Sequence, residues 1–388
     1  MGLGGSNPPA SAKKFFKEFI LKFMKKLNLA IVFGGKSAEH EISLISAFNI
    51  INAADKKKYK IISVGIDKDG EFLYFDKENY ILNSRDPKKV RLGKNGKPVS
   101  FAFGKKKELI GLKDSKLRVK IDAVFPVLHG TFGEDGTMQG LLKMADVPFV
   151  GSGVLDSAIG MDKDVMKRLF RDAGIPTADF FAFSQNELGK INFEKLRKKL
   201  KLPFFVKPAN LGSSVGISKV KNKGDFKKAI QEAFRFDSKI IIEECIKGRE
   251  IECSVLGNES PAASVPGEIV PTHEFYSYEA KYLDENGAVL KIPARLSGKV
   301  IEKIRNLAVK SFRALCCEGM GRVDFFLDGK GKIYVNEINT IPGFTRISMY
   351  PKLWEESGLG YSELIDKLVE LAIARYKREK KLQTSYID

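Results

Sequence analysis

The stretch from Arg322 to Gly343 constrains this chain most. Arg322-Val323-Asp324 opens an alternating run that reaches a turn at Asp328-Gly329-Lys330-Gly331, and a second run returns through Asn336-Glu337-Ile338-Asn339-Thr340-Ile341-Pro342-Gly343. Glycine and aspartate between two such runs predict a β-hairpin. Residues two apart in a strand share a face, so Glu337 and Asn339 point the same way. If the turn pairs Leu327 with Lys332, Arg322 lies opposite Glu337 and Asp324 lies diagonal to it. Two carboxylates and an amide oxygen then converge beside one guanidinium. Hard oxygen donors on a rigid hairpin suit Mg²⁺, which takes one or two carboxylates together with nucleotide phosphates. The arginine suits a phosphoryl oxygen or a developing oxyanion. Spacing alone leaves a second reading open, in which these are charges on the solvated face of an edge hairpin.

A chain of 388 residues predicts two or three domains. No apolar run approaches the roughly 20 residues needed to span a bilayer, so no membrane partner is expected. The formal net charge is +18, from 66 Lys and Arg against 48 Asp and Glu. Such an excess fits a polyanionic substrate such as ATP as well as nucleic acid. It is mostly lysine and is spread along the chain, as at Lys56-Lys57-Lys58, Lys105-Lys106-Lys107 and Lys198-Lys199. Zinc-finger, RRM and clear helix-turn-helix signatures are absent, which favours a solvated lysine-rich surface over nucleic-acid binding. Cys245, Cys253, Cys316 and Cys317 form no CxxC pair and read as reduced, mostly buried thiols of a cytosolic protein. His40, His129 and His273 are too far apart in sequence to show a metal spacing. Residues 1–27 stand apart: a Gly-, Ser- and Pro-rich start is followed by a basic stretch from Lys13 to Lys26 with phenylalanines at helical spacing. This segment reads as a non-native or disordered extension, with Met24 as an alternative start.

Three regions follow, expected at 28–150, 151–243 and 244–376, with a tail at 377–388. In the first, Leu29 to Phe33 is a buried-type strand running into Gly34-Gly35, and a helix is expected from Ser37 with Glu39 and Glu41 in its first turn. Further strands at Ile61 to Ile66 and Asp122 to Leu128 predict a parallel open sheet whose functional loops lie at strand C-termini. Residues 82–120 read as hairpins or loops. The second region holds a helix over Met161 to Ala173 and a strand at Phe204 to Lys207. The third holds strands at Glu250 to Leu256 and Ala262 to Val270, a long helix from Lys299 to Leu315, the hairpin, and a last helix from Ser362.

Individual motifs point to nucleotide chemistry without fixing it. Small residues at Gly212-Ser213-Ser214-Val215-Gly216 let backbone N–H groups close over phosphate oxygens, though a plain Gly-Ser hairpin loop would look the same. Lys207 and Lys163 are candidate phosphate ligands. The Glu243-to-Ile246 segment reads as a hinge whose backbone could face an adenine edge, with Glu250 able to hold ribose hydroxyls; a charged hairpin is the alternative. Glu39, at a strand-to-helix turn, could grip an ammonium or simply favour the helix start. Gly34-Gly35 is not a GxGxxG motif, so a dinucleotide fold is poorly supported.

Taken together the motifs resemble those of the D-alanine–D-alanine ligases, of the ATP-grasp fold. The matching pieces are Phe33-Gly34-Gly35-Lys36-Ser37-Ala38-Glu39, His129-Gly130 with Gly133 to Thr137, Gly151-Ser152-Gly153, Met161-Asp162-Lys163, Lys207-Pro208 with Gly212 to Gly216, Tyr278 to Tyr282, Arg322-Val323-Asp324, and Asn336 to Gly343 with Ser348-Met349-Tyr350-Pro351. They stand in family order from about Leu27 to Tyr376. The resemblance implies an α/β protein: a Rossmann-like N-terminal domain and two α+β domains that clasp ATP. It implies ligation of two D-alanines through an acyl phosphate, for peptidoglycan precursor synthesis, by a homodimer in the bacterial cytoplasm.

Residue by residue, the resemblance implies that Lys163, Lys207 and Lys281 hold ATP phosphates under the loop of Gly212, Ser213 and Ser214. It places Glu243, Ile246 and Glu250 around adenosine, and two Mg²⁺ (or Mn²⁺) on Asp324, Glu337 and Asn339. Glu39 would grip the first ammonium and Ser348 the second carboxylate, with His129 and Met349 also lining the substrate site. Arg322 and the Gly343 N–H would stabilise the oxyanion, and Ser213, Tyr282 and Glu39 would form a closing set. A D-alanine–D-lactate ligase shares almost all of this and differs typically at the position of Tyr282. A non-catalytic nucleotide or nucleic-acid binder is the remaining alternative, against which the complete acidic set and Arg322 argue.

Overall fold

The computed structural model describes residues 26–271 and 287–386, except 78, 85 and 105. Lys281, Tyr282 and His273 therefore lie outside the described residues.

Strand β1 (Leu27–Gly34) is apolar and buried from Leu29 onward, as a strand covered on both faces should be. At its end Gly34 has φ +91°, and a Cβ there would lie 2.2 Å from the Ile66 carbonyl oxygen. Only glycine lets the chain turn away at that point. Helix α1 (His40–Ala53) follows. It starts later than Ser37 because the Ser37 carbonyl closes a turn with His40 N–H at 3.2 Å and its hydroxyl accepts the Glu39 N–H at 3.1 Å. Glu39 thus occupies the helix N-cap position. Next come β2 (Tyr59–Ile66), β3 (Phe72–Phe75), β4 (Ile81–Leu82), β5 (Arg91–Leu92), β6 (Lys97–Phe101), β7 (Glu108–Gly111), β8 (Arg118–Lys120) and β9 (Ala123–Val127). The sheet runs β8-β7-β6-β3-β2-β1-β9, and β1 pairs in parallel with both β2 and β9. The expected parallel sheet, β2-β1-β9, forms one end of it. The 82–120 region contributes three antiparallel strands to one edge.

Helices α2 (Thr137–Met144), α3 (Val154–Met161) and α4 (Lys163–Asp172) come next. The single helix expected over Met161 to Ala173 is broken at Asp162, which is extended and accepts the N–H groups of Asp164 and Val165. An aspartate at an N-cap starts a new helix by satisfying its orphan donors, so Lys163 becomes the first residue of α4. The second sheet contains β10 (Phe180–Ser184), β11 (Phe204–Pro208), β12 (Ser218–Val220) and β13 (Lys239–Glu244), in the order β10-β13-β11-β12. Helices α5 (Phe193–Leu200) and α6 (Lys223–Phe234) cover one face around Phe204, Phe226 and Ile242.

The third sheet contains β14 (Gly248–Gly257), β15 (Ala262–Ala263), β16 (Gly267–Pro271), β17 (Ala288–Lys291), β18 (Gly319–Asp328) and β19 (Ile333–Asn339). Its main order is β17-β16-β14-β18-β19. Helix α7 (Gly298–Ala314) seals one face through Ile304, Ala308 and Phe312 against Val323, Phe325 and Val335. The hairpin register differs from the expected one. Leu327 pairs with Ile333 and Phe325 with Val335, but a bulge then makes Asp324 the partner of Glu337 and Arg322 the partner of Asn339. Asn336 is the extra residue. In unbroken alternation Glu337 would share the buried face of Val335; the bulge shifts the alternation by one and turns Glu337 outward.

Helices α8 (Met349–Glu356) and α9 (Tyr361–Glu379) pack back on the first sheet. Trp354, Leu364 and Leu368 join Leu29, Ile31 and Phe33 in one cluster, and Phe344 meets Phe125 edge-to-face at 5.8 Å. Buried Arg375 donates to the carbonyls of Gly151 at 2.6 Å and Phe149 at 2.8 Å. The C-terminal elements and the first sheet therefore share a core, which fixes the walls of the cleft between them.

Candidate active site

A cleft of about 220 Å³ draws its lining from the three sheets and their connections, including Glu39, His129, Gly212, Arg322, Glu337 and Ser348. On its N-terminal wall the Ser213 hydroxyl donates to Glu39. A Cβ at Gly130 would stand 2.7 Å from the Glu39 carboxylate, and one at Gly212 would stand 3.2 Å from it. Glycines on both sides leave that carboxylate its space. Ser213 and Ser214 both adopt positive φ, 51° and 61°, so the loop is held in a conformation that L-residues rarely take.

His129 lies two residues beyond the end of β9, behind Glu39. Its Nδ1 lies 3.0 Å from the Ile341 carbonyl, so Nδ1–H donates; Nε2, 3.1 Å away, accepts from Ser46 Oγ. Burial holds this imidazole below the usual histidine range, against the pull of Glu39. The Phe344 N–H donates to Ser46 at 3.2 Å. Expected at the substrate, His129 thus also fixes the loop that carries Gly343. Glu134, which the sequence placed in a matching motif without a role of its own, accepts the N–H groups of Gly130 at 2.8 Å and Ile341 at 3.0 Å. Burial and the neighbouring Glu39 charge push its carboxyl up to about 8.

Opposite lies the hairpin face. Arg322 donates two parallel bonds to Asp324, both 2.7 Å, and its Nε also lies 2.9 Å from Glu252. Glu252 pairs with Asp324 across β14 and β18. Sequence reasoning missed it, although it stands two residues after Glu250 on one strand face. Asn339 donates its amide to Asp324 at 3.0 Å, and Glu337 meets the Lys163 ammonium at 3.3 Å. Two carboxylates and an amide on adjacent strands make a donor set that suits Mg²⁺ or Mn²⁺. Here Arg322 and Lys163 supply the neighbouring positive charge.

Lys163 also donates to the Leu211 carbonyl at 2.7 Å, beneath the glycine-rich loop. Lys207 reaches Glu243 at 2.5 Å, and a fully buried lysine, Lys167, takes the other oxygen of the same carboxylate. Glu243 was expected beside adenosine, but its carboxylate is committed to two lysines inside the protein. The reason is register: Phe205 pairs with Glu243, so Lys207, two residues on, shares its face. Lys167 stands four residues after Lys163 on α4, an i, i+4 signal visible in the sequence. Ile246 is half-buried in the link between β13 and β14, and Glu250 lines the cleft. At the far end, a Cβ at Gly343 would lie 2.7 Å from Ser348 Oγ, which accepts the Thr345 N–H at 2.9 Å. Met349 lines the cleft but also packs in a small apolar cluster with Ile269 and Leu353.

Three sheets around one cleft, with a glycine-rich loop over buried lysines and an acidic hairpin opposite, define an ATP-grasp enzyme. Residues 28–152 match the D-ala D-ala ligase N-terminus family and residues 169–370 the D-ala D-ala ligase C-terminus family. A D-alanine–D-alanine ligase of Oceanobacillus iheyensis is 54% identical over 366 residues, 94% of this chain and 100% of that protein. The D-alanine–D-alanine ligase A of Escherichia coli K12 is 50% identical over 363 residues, covering 93% and 100% respectively. The solved D-alanine–D-alanine ligase of Coxiella burnetii superposes with a TM-score of 0.80 at 40% identity, over 92% of this chain and 96% of that one. The VanG D-Ala:D-Ser ligase of Enterococcus faecalis gives a TM-score of 0.79 at 34% identity, over 90% and 100%. The chain belongs to the D-alanine–D-alanine ligase family.

Proposed function

We propose that this chain joins two D-alanines into D-alanyl-D-alanine, converting ATP to ADP and phosphate, and so supplies a peptidoglycan precursor. The observation that carries the reading is the convergence of Glu39, Arg322 with Asp324, and Ser348 on one cleft beside Lys163 and the glycine-rich loop. Glu39 grips the first ammonium and leaves that substrate's carboxylate free to attack the γ-phosphorus. Lys163 and Lys207 bind phosphate oxygens. Ser348 holds the second carboxylate, and the second amine attacks the acyl phosphate as phosphate leaves. Arg322 and the Gly343 N–H meet the negative charge that develops on the carbonyl oxygen. The Ser213–Glu39 bond ties the loop across the cleft, excluding water that would hydrolyse the acyl phosphate. Asp324, Glu337 and Asn339 would hold two Mg²⁺ or Mn²⁺ ions, which offset charge on the transferring phosphoryl group when bound.

Tyr282 and Lys281 keep the roles the resemblance implies, in closing the site and approaching the γ-phosphate. A neutral tyrosine adds no positive charge near the incoming amine, which favours an amino acid over D-lactate as second substrate. No helix among the described residues is long and apolar enough to cross a membrane; a homodimer in the bacterial cytoplasm completes the reading. The test is ADP release with a panel of D- and L-alanine, D-serine and D-lactate, with products identified by mass spectrometry. D-alanyl-D-alanine as main product at neutral pH is expected. A depsipeptide or a D-serine product in its place would overturn the second-substrate assignment.

A further inference from the structure

Lys167 has no role in the chemistry above, yet among the described residues it is the most completely buried cation beside the nucleotide side of the cleft. Its side chain is 0% exposed, that of Glu243 is 4% and that of Lys207 is 9%. The Lys167 ammonium pairs with Glu243 Oε1 and donates to Thr177 Oγ1 at 3.2 Å, while Lys207 takes Glu243 Oε2 at 2.5 Å. Burial opposes charge on each member. It holds the Lys167 ammonium below the ordinary lysine range despite Glu243, whereas on Glu243 the two lysines outweigh burial and keep the carboxyl below its ordinary range.

The order of charges matters. A carboxylate against Lys207 alone would fix its direction but cancel the positive charge a phosphate needs. A second lysine behind that carboxylate leaves the triad with net charge +1, offered at the Lys207 end. We propose that Lys167 is a positioning residue for nucleotide binding: it neutralises Glu243, so that Glu243 orients Lys207 without cancelling its charge. This rests on reading Lys207 as a phosphate ligand.

The experiment measures binding of a non-hydrolysable ATP analogue to the full chain by calorimetry. Lys167→Met keeps the length of the side chain and removes its charge; binding should weaken by about tenfold or more, as expected for loss of a charge-assisted contact. The double variant Lys167→Met with Glu243→Gln removes both charges and should recover to within about threefold of the unaltered chain, a coupling that a purely structural role would not produce. The proposal is overturned if Lys167→Met binds within about twofold of the unaltered chain, or if the double variant binds no better than Lys167→Met. Should Lys167→Met fail to fold, the double variant decides alone, and binding weakened by more than about tenfold overturns the proposal. Lys207→Met separates the two readings. Unchanged binding there removes the phosphate role of Lys207 itself, whatever Lys167 does.

Discussion

Ser213, on the glycine-rich loop, donates its hydroxyl to Glu39 at the start of α1, joining residues 174 positions apart. The bond ties the loop proposed to cover the nucleotide to the carboxylate assigned to the first D-alanine. Loop position and the proposed substrate site are therefore coupled through a side-chain contact.

Ser213→Ala should lower kcat/KM for D-alanine by about 10- to 100-fold, the range for a hydrogen bond to a charged group. Glu39→Gln should cost more, because it also removes the charge that meets the ammonium. Steady-state kinetics at saturating ATP check both. Equal losses in the two variants would place the effect in loop closure alone.

Asp324→Asn and Glu337→Gln should each abolish most turnover while leaving thermal unfolding close to that of the unaltered chain, since each removes a proposed anionic Mg²⁺ ligand from the half-buried face that lines the cleft. A Mg²⁺ titration of activity is the measurement. Near-normal rates at modest Mg²⁺ would remove the metal assignment.

Arg322 makes two parallel bonds to Asp324 and a third contact to Glu252, a fork that lysine cannot reproduce. Arg322→Lys should reduce kcat by about 10²- to 10³-fold, as loss of an oxyanion donor does. Nucleotide affinity should hold. A fall in affinity with kcat intact would mean that Arg322 only positions the hairpin.

Glu134 titrates near 8 in the folded chain, above the ordinary 4.5. The folded state binds this proton more tightly than the unfolded one. Its contribution to stability is thus complete below the ordinary value and is lost as pH rises through about 8. Glu134→Gln stays neutral. The melting temperature of the variant minus that of the unaltered chain should become more favourable by a few degrees between about pH 5 and pH 8.5. His129 is common to both proteins, so its own titration cancels. A flat difference would show that Glu134 is not shifted.

A chain beginning at Met24 should keep its activity and melting temperature, because the first sheet begins with Leu27. Loss of either would make the preceding residues part of the fold.

The sequence by itself determined the local pieces of this protein. Continuous apolarity marked β1, Gly34-Gly35 marked its turn, and alternation with Asp328-Gly329 marked the hairpin, because each depends on residues a few positions apart. Candidates for chemistry stood out for the same reason: Asp324, Glu337, Asn339 and the Gly212-to-Gly216 loop were singled out by type and spacing, which left a solvated hairpin and a plain Gly-Ser loop open as alternatives. What the sequence could not decide was geometry that depends on pairing across the chain. The bulge at Asn336 places Asp324 opposite Glu337, and strand register sets it, not composition. Glu243 faces Lys207 and Lys167 because β11 and α4 meet it from either side. Glu134 and Glu252 become part of the site only when distant backbone groups and Arg322 arrive beside them. Ion pairs and carboxyl titrations follow distance and burial, and in a chain of this length only the tertiary structure brings such groups together.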